Sequence, residues 1–205
     1  MAAEEEVKSK KRLKRPSKDH LNFVIAVSAV LISAASFIAT YIQSEASLNQ
    51  VKAETWPYLQ VEHGNVNDDL NQEIYFHLEN VGVGPAKVKS FRIKLQDRYL
   101  NDAYHLVELV FDEGGTLSCE SNNCLFTNTV SPKILPQGDV LKVFSLFPDE
   151  QNLPLWYTLN TVRWRLQPEA CYCSLLDECY ETNFDTEPTP VEECKIAPKQ
   201  EFARS

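Results

Sequence analysis

Basic residues are scarce over most of this chain. Of its 20 Lys and Arg, seven (Lys8, Lys10, Lys11, Arg12, Lys14, Arg15 and Lys18) lie before residue 20, and Lys52 is the only one from Ile42 to Asn71. Residues 43–205 hold 13 basic against 25 acidic side chains, a net of −12. Such an acidic surface repels a phosphate backbone, so nucleic acid is not an expected partner. Glycine is also rare, with six in 205 residues. No Walker loop, Gly-x-Ser-x-Gly elbow or His-Glu-x-x-His pair occurs, so the common nucleotide, serine-hydrolase and zinc-protease chemistries lack their signatures. No cysteine precedes Cys119, and none of the twelve Asn after residue 42 sits in an Asn-x-Ser/Thr acceptor. The missing glycosylation site favours a bacterial envelope over a eukaryotic ectodomain.

One further absence is the most informative. From Leu21 to Ile42 there are 22 residues without a charge, and Asn22 is the only strongly polar one. At ~1.5 Å per residue these cover roughly 33 Å, enough for a hydrocarbon core of about 30 Å. A helix is the single-segment structure that satisfies its own backbone there. The basic cluster before it, with Lys52 as the only Lys or Arg in the thirty residues after Tyr41, predicts a cytosolic N-terminus and an exported C-terminal part. A cleaved signal peptide is the rival reading, with a small-residue site near Ala46, but the apolar run exceeds the usual h-region. Small residues Ala29, Ser33, Ser36 and Thr40 share one helix face and mark a candidate helix-packing surface.

All six cysteines lie in the exported part: Cys119, Cys124, Cys171, Cys173, Cys179 and Cys194. An even number confined to an oxidising side reads as disulfides. Cys-x-Cys fits poorly with zinc-knuckle spacing. Six cysteines allow 15 pairings, and proximity favours Cys119–Cys124, Cys173–Cys179 and Cys171–Cys194. Cys171 and Cys173 point the same way on a strand, about 7 Å apart, too far to bond each other without distortion.

The chain is expected to divide into a basic cytosolic tail (1–20), a transmembrane helix (21–42), a helical stalk (43–56), a β-sandwich domain (57–185) and a Pro-containing C-terminal tail (186–205). Pro57 ends the stalk, because it drives Trp56 out of the α region. Alternation then predicts strands over 73–79, 88–95, 126–130, 140–147, 161–173 and 179–184, with a bulge near Ser90. Helical spacing predicts short helices over 103–111 and 149–160, the first capped by Asp102. Gly-Pro turn chemistry fills 80–85 and 135–139, and His63 is expected in a turn beside Gly64. The fold class expected is mainly β, an antiparallel immunoglobulin-like sandwich with short helices, carried on an N-terminal transmembrane helix.

Three motifs stand out: Trp56-Pro57-Tyr58-Leu59, Asn80-x-Gly82-x-Gly84-Pro85-Ala86, and Cys171-Tyr172-Cys173-Ser174 with Glu178-Cys179. Together they resemble a family of uncharacterised bacterial single-pass membrane proteins, over the anchor through Cys194. The turn at Asn80–Ala86 and Leu135-Pro-x-Gly-Asp is similar to turns of immunoglobulin-like envelope modules. The first resemblance implies a membrane address and no activity; the second implies a fold only.

The expected function is a non-catalytic, membrane-anchored periplasmic interaction or assembly module. It needs no cofactor, and its partners would be the membrane and another membrane or periplasmic protein, or a second copy through the transmembrane helix. The alternative is a membrane-tethered periplasmic enzyme or metal binder using His105, Glu108 and Asp112, which share a helix face. A solvated helix face explains the same trio, since no second His-bearing motif backs it. A disulfide-exchange role for Cys171-x-Cys173 lacks the thioredoxin-like βαβ setting.

Overall fold

The computed structural model describes residues 17–110 and 125–203. The chain divides at Asn49 into two compact units. The first is formed by helix α1 (Lys18–Glu54), whose last residues lead into the second unit. No Gly or Pro interrupts those 37 residues. None of their side chains is buried, and the best window reaches a mean hydropathy of 2.3. The helix is long and apolar enough to cross a membrane, at roughly 55 Å by helical rise. It ends as expected before Pro57, with Thr55 donating its N–H and its hydroxyl to the Val51 carbonyl.

Among the described residues the second unit holds ten strands and, after α1, two helices. In chain order these are β1 (Leu59–Val66), β2 (Gln72–Asn80), β3 (Ala86–Leu95), β4 (Arg98–Tyr99), α2 (Ala103–Val110), β5 (Phe126–Thr127) and β6 (Lys133–Leu135). There follow β7 (Val140–Leu146), α3 (Leu153–Val162), a 3-10 turn (Arg163–Arg165), β8 (Leu166–Cys173), β9 (Cys179–Thr182) and β10 (Thr189–Val191). Every pairing between described strands is antiparallel. One sheet runs β1-β2-β7-β5; the other runs β10-β9-β8-β3-β4, with β6 also on β3.

Period-two alternation explains the long strands. Ile74, Phe76 and Leu78 are buried on β2, while Tyr75, His77 and Glu79 alternate with them. On β3 the alternation slips by one, because the register with β8 shifts between Val88 and Ser90. That bulge turns both Ser90 and Phe91 inward. One hydrophobic cluster takes residues from both sheets and from α2 and α3.

Several segments differ from the sequence expectation, and β1, β4, β6 and β10 are strands outside the expected set. His63 lies within β1, paired opposite Phe76, and not in a turn. The expected strand over 126–130 shrinks to Phe126–Thr127. Residues 161–165 are helical, so the expected strand over 161–173 begins only at Leu166. Val162 and Leu166 suit either period, since they are four apart. Leu155, Leu159 and Val162 form one buried helical stripe, which prevails until the backbone turns extended at Leu166. Finally, the C-terminal segment is largely irregular, yet its end enters the core. Phe202 is fully buried, 6.3 Å from the Phe91 ring and 6.4 Å from the Phe144 ring, so it touches both sheets. Its N–H donates to the Phe91 carbonyl. Neighbouring Glu201 is buried and accepts from the Ser90 hydroxyl, the Phe91 N–H and the Ser131 hydroxyl.

Candidate functional site

The sequence motifs converge first on a structural knot. The Asn80 side chain is completely buried. Its amide N–H groups donate to the carbonyls of Gly84 (2.8 Å), Leu135 (3.0 Å) and Pro136 (3.2 Å). Its amide oxygen accepts from the backbone N–H of Tyr58 (3.2 Å) and Gly82 (3.1 Å). An Asn amide offers two donor hydrogens and two lone pairs, and all are used. The glycines permit the approach. A Cβ on Gly82 would fall 2.2 Å from the Tyr58 nitrogen, and one on Gly84 2.2 Å from the Thr55 oxygen. The Trp56 carbonyl accepts from the Val83 and Gly84 N–H groups. Residues 55–58, 80–85 and 135–139 are thus one interlocked unit, and their conspicuous pattern is spent on the fold.

The second cluster is sulfur. Cys171 bonds Cys194 and Cys173 bonds Cys179. Cys173 and Cys179 oppose each other across the β8–β9 hairpin. Ser174 shapes that turn, its hydroxyl accepting from the Leu176 and Glu178 N–H groups. The two bonds lie side by side: the sulfurs of Cys173 and Cys194, which are not bonded to each other, are 3.9 Å apart. The sulfurs of Cys173, Cys179 and Cys194 all lie within 4.8 Å of one another. Cys171, Cys173 and Cys179 are buried and Cys194 is half-buried. Cys119 and Cys124 lie outside the described residues.

Of the candidate metal trio, His105 and Glu108 lie among the described residues. His105 belongs to the α2 cap: its N–H donates to Asp102 Oδ1 at 2.8 Å, and its Nδ1 accepts from the Asn101 N–H at 3.2 Å. Glu108 is exposed. Asp112 lies outside the described residues. On α1, the Ser33 and Thr40 hydroxyls donate to the helix's own carbonyls, at Ala29 and Ser36. They remain small members of the stripe with Ala29 and Ser36, with their donors already satisfied.

A constellation that the sequence does not announce surrounds Arg163. This side chain is 7 % exposed. Its Nη1 lies 2.7 Å from His63 Nδ1 and also donates to the His63 carbonyl, while Nε donates to Asn160 Oδ1. Among the described residues Arg163 has no carboxylate partner. Burial pulls its pKa below the usual arginine value. Burial, and then the Arg163 charge, also hold His63 below the usual histidine value, so its imidazole is neutral near pH 7 and Nδ1 is free to accept. His63 stacks on Phe76 at 5.9 Å and meets the Trp164 ring edge-on at 4.8 Å. The Arg163 guanidinium lies 4.5 Å from the same ring. Trp164 itself is 69 % exposed. The result is a large aromatic side chain presented to solvent and braced from beneath by a cation and an imidazole. Sequence reasoning missed it because alternation placed Trp164 beside Val162 and Leu166 on one face. The available signal was Arg-Trp-Arg at the end of a helical stripe.

An open groove of about 330 Å³ crosses β8 and β9, lined by Arg92, Glu169, Glu181 and Asn183 among others. Arg92 Nη2 lies 3.0 Å from Glu169 Oε2, which leaves Glu181 and Glu187 as additional acidic lining. Compared with protein families, curated proteins and solved structures, the chain matches none.

Proposed function

We propose that this chain is a non-catalytic, membrane-anchored interaction or assembly module, with its β domain facing the bacterial periplasm. The observation that carries the reading is Trp164. An exposed tryptophan costs solubility, and here it is held in place by Arg163 and His63. Trp and Arg dominate binding hot spots because a preordered ring loses little entropy on docking. The chemistry-bearing motifs support the same reading from the other side, since Asn80 and the half-buried His105 are engaged by backbone groups of the fold.

The strand order supports an immunoglobulin-like sandwich. β1-β2-β7-β5 follows the A-B-E-D arrangement, and β3-β8-β9 follows C-F-G. The apolar α1, the basic residues before it and the disulfides support a single-pass anchor with its N-terminus in the cytosol and the domain outside. Kinship with the bacterial single-pass proteins that share the three motifs is part of the same proposal.

The test is crosslinking in intact membranes, followed by capture of the detergent-solubilised protein and mass spectrometry, for the native chain and Trp164→Ala. The reading expects at least one crosslinked partner that is lost on substitution. An identical partner set in both samples would reject Trp164 as the contact. A phosphatase fused after Ser205 should be active only if exported; an inactive fusion, with a cytosolic reporter lit instead, would reverse the topology.

A further inference from the structure

We propose that the four cysteines of the β8–β9 region form one exchange-coupled unit, in which a two-electron reduction entering at Cys194 leaves the molecule with a new Cys173–Cys194 bond and thiols at Cys171 and Cys179. The inference rests on position. Thiol–disulfide exchange needs a thiolate beside a disulfide sulfur and an entry point that solvent reaches. Both are present. Cys194 is the least buried of the four, and its sulfur lies 3.9 Å from Cys173, which is bonded to Cys179 and not to it. Cys171 and Cys173 are two apart on β8 and share a face, and the Cys179 sulfur completes the group within 4.8 Å.

The co-reactant is a dithiol reductant, a small molecule or the dithiol of an oxidoreductase. One of its thiolates attacks Cys194, and the Cys171 thiolate leaves and takes up a proton. The reductant's second thiolate attacks its own bound sulfur, closes the reductant to a disulfide and releases the Cys194 thiolate. Cys194 then attacks Cys173, forming the Cys173–Cys194 bond and expelling the Cys179 thiolate, which is protonated in turn. Two electrons and two protons have entered, one of the two bonds has been lost, and the oxidised reductant departs. The C-terminal segment stays tethered to β8 while the clip across the 174–178 hairpin opens. That hairpin carries Asp177 and Glu178, which pair with Lys87 and Lys52, so the exchange reaches beyond the sulfurs.

The experiment uses the full-length, detergent-solubilised protein exposed to one to two equivalents of dithiothreitol, quenched by an alkylating reagent and mapped by non-reducing peptide mass spectrometry. The expected product is a Cys173–Cys194 crosslinked peptide with alkylated Cys171 and Cys179. Alkylation at Cys171 and Cys194 with Cys173–Cys179 intact would overturn the proposal. So would the converse pair, or loss of both bonds without the new crosslink. Cys171→Ser, isolated from an oxidising compartment, is an independent check that needs no added reductant. Here Cys194 loses its partner, and exchange predicts that at least a tenth of the free thiol appears on Cys179. A free thiol confined to Cys194 would reject the coupling.

Discussion

Asn80 and Arg163 are both buried polar side chains, and they are satisfied in opposite ways. Asn80 is neutral, and its amide groups meet backbone partners drawn from three separate segments. Arg163 is charged, yet its partners are a neutral imidazole, a carbonyl and a side-chain amide. A buried charge is costly unless paired. The contrast teaches where this fold has spent its polar groups. The Asn80 region is closed, with backbone packed so tightly that two glycines are needed. The Arg163 region keeps a cation in reserve beneath an exposed tryptophan.

The sharpest way to break that comparison is to remove Asn80. Asn80→Ala strands the Tyr58 and Gly82 N–H groups and the Gly84 and Leu135 carbonyls away from solvent. Unsatisfied buried groups cost about 1–3 kcal/mol each, and partial relaxation brings the expected loss to about 4 kcal/mol. Urea unfolding of the β domain, followed by tryptophan fluorescence, would measure it. A midpoint within error of the native protein would show that the network is incidental. Phe202→Ala comes next, at about 3 kcal/mol, the usual cost of emptying an aromatic core site. If the variant unfolds like the native chain, the C-terminal segment is not part of the core.

The two regions also differ in how far the sequence disclosed them. The apolar helix, its end at Pro57, strands β2, β3 and β7, and the bulge at Ser90 were legible because each obeys one period or one breaker residue. The Asn80 motif was legible as a turn, but not as a hub, because its partners at Tyr58 and Leu135 are 22 and 55 residues away. His63 was misplaced by Gly64, which reads as a turn signal. In the structure Gly64 makes room for the Tyr75 ring, since a Cβ there would sit 2.5 Å from it. Phe202 was hidden by the prolines before it, which mark irregular backbone but say nothing about where that backbone runs. Local pattern reports secondary structure; contacts at long range, which create both the knot and the Trp164 platform, leave no periodic trace.

Trp164→Ala sharpens the comparison in the other direction. The ring is mostly exposed, so its removal should change stability by no more than about 0.5 kcal/mol, while capture of the partner is lost. Equal losses of stability and binding would mean that the platform is a structural feature like the knot.

The smallest effect expected is a pH dependence centred on His63. Burial and Arg163 lower its pKa in the folded state, so between that value and the unfolded ~6.5 the unfolded chain binds more protons. Stability contributed by the neutral imidazole is therefore complete above pH 6.5 and declines as pH falls through the folded value. His77, also lowered chiefly by burial and then by Lys142, adds in the same direction. Both groups are partly open to solvent, which weakens the effect. The urea midpoint should fall between pH 7.5 and 5.5, and fall less in His63→Gln, whose amide oxygen can still accept from Arg163. The same substitution separates two sources of the decline. If the pH slope persists undiminished in His63→Gln but flattens in His77→Gln, protonation acts on the open face of β2 and the Arg163–His63 pair is indifferent to it. If it flattens in His63→Gln, protonating one imidazole places two cations beneath Trp164, and partner capture should weaken over the same pH range.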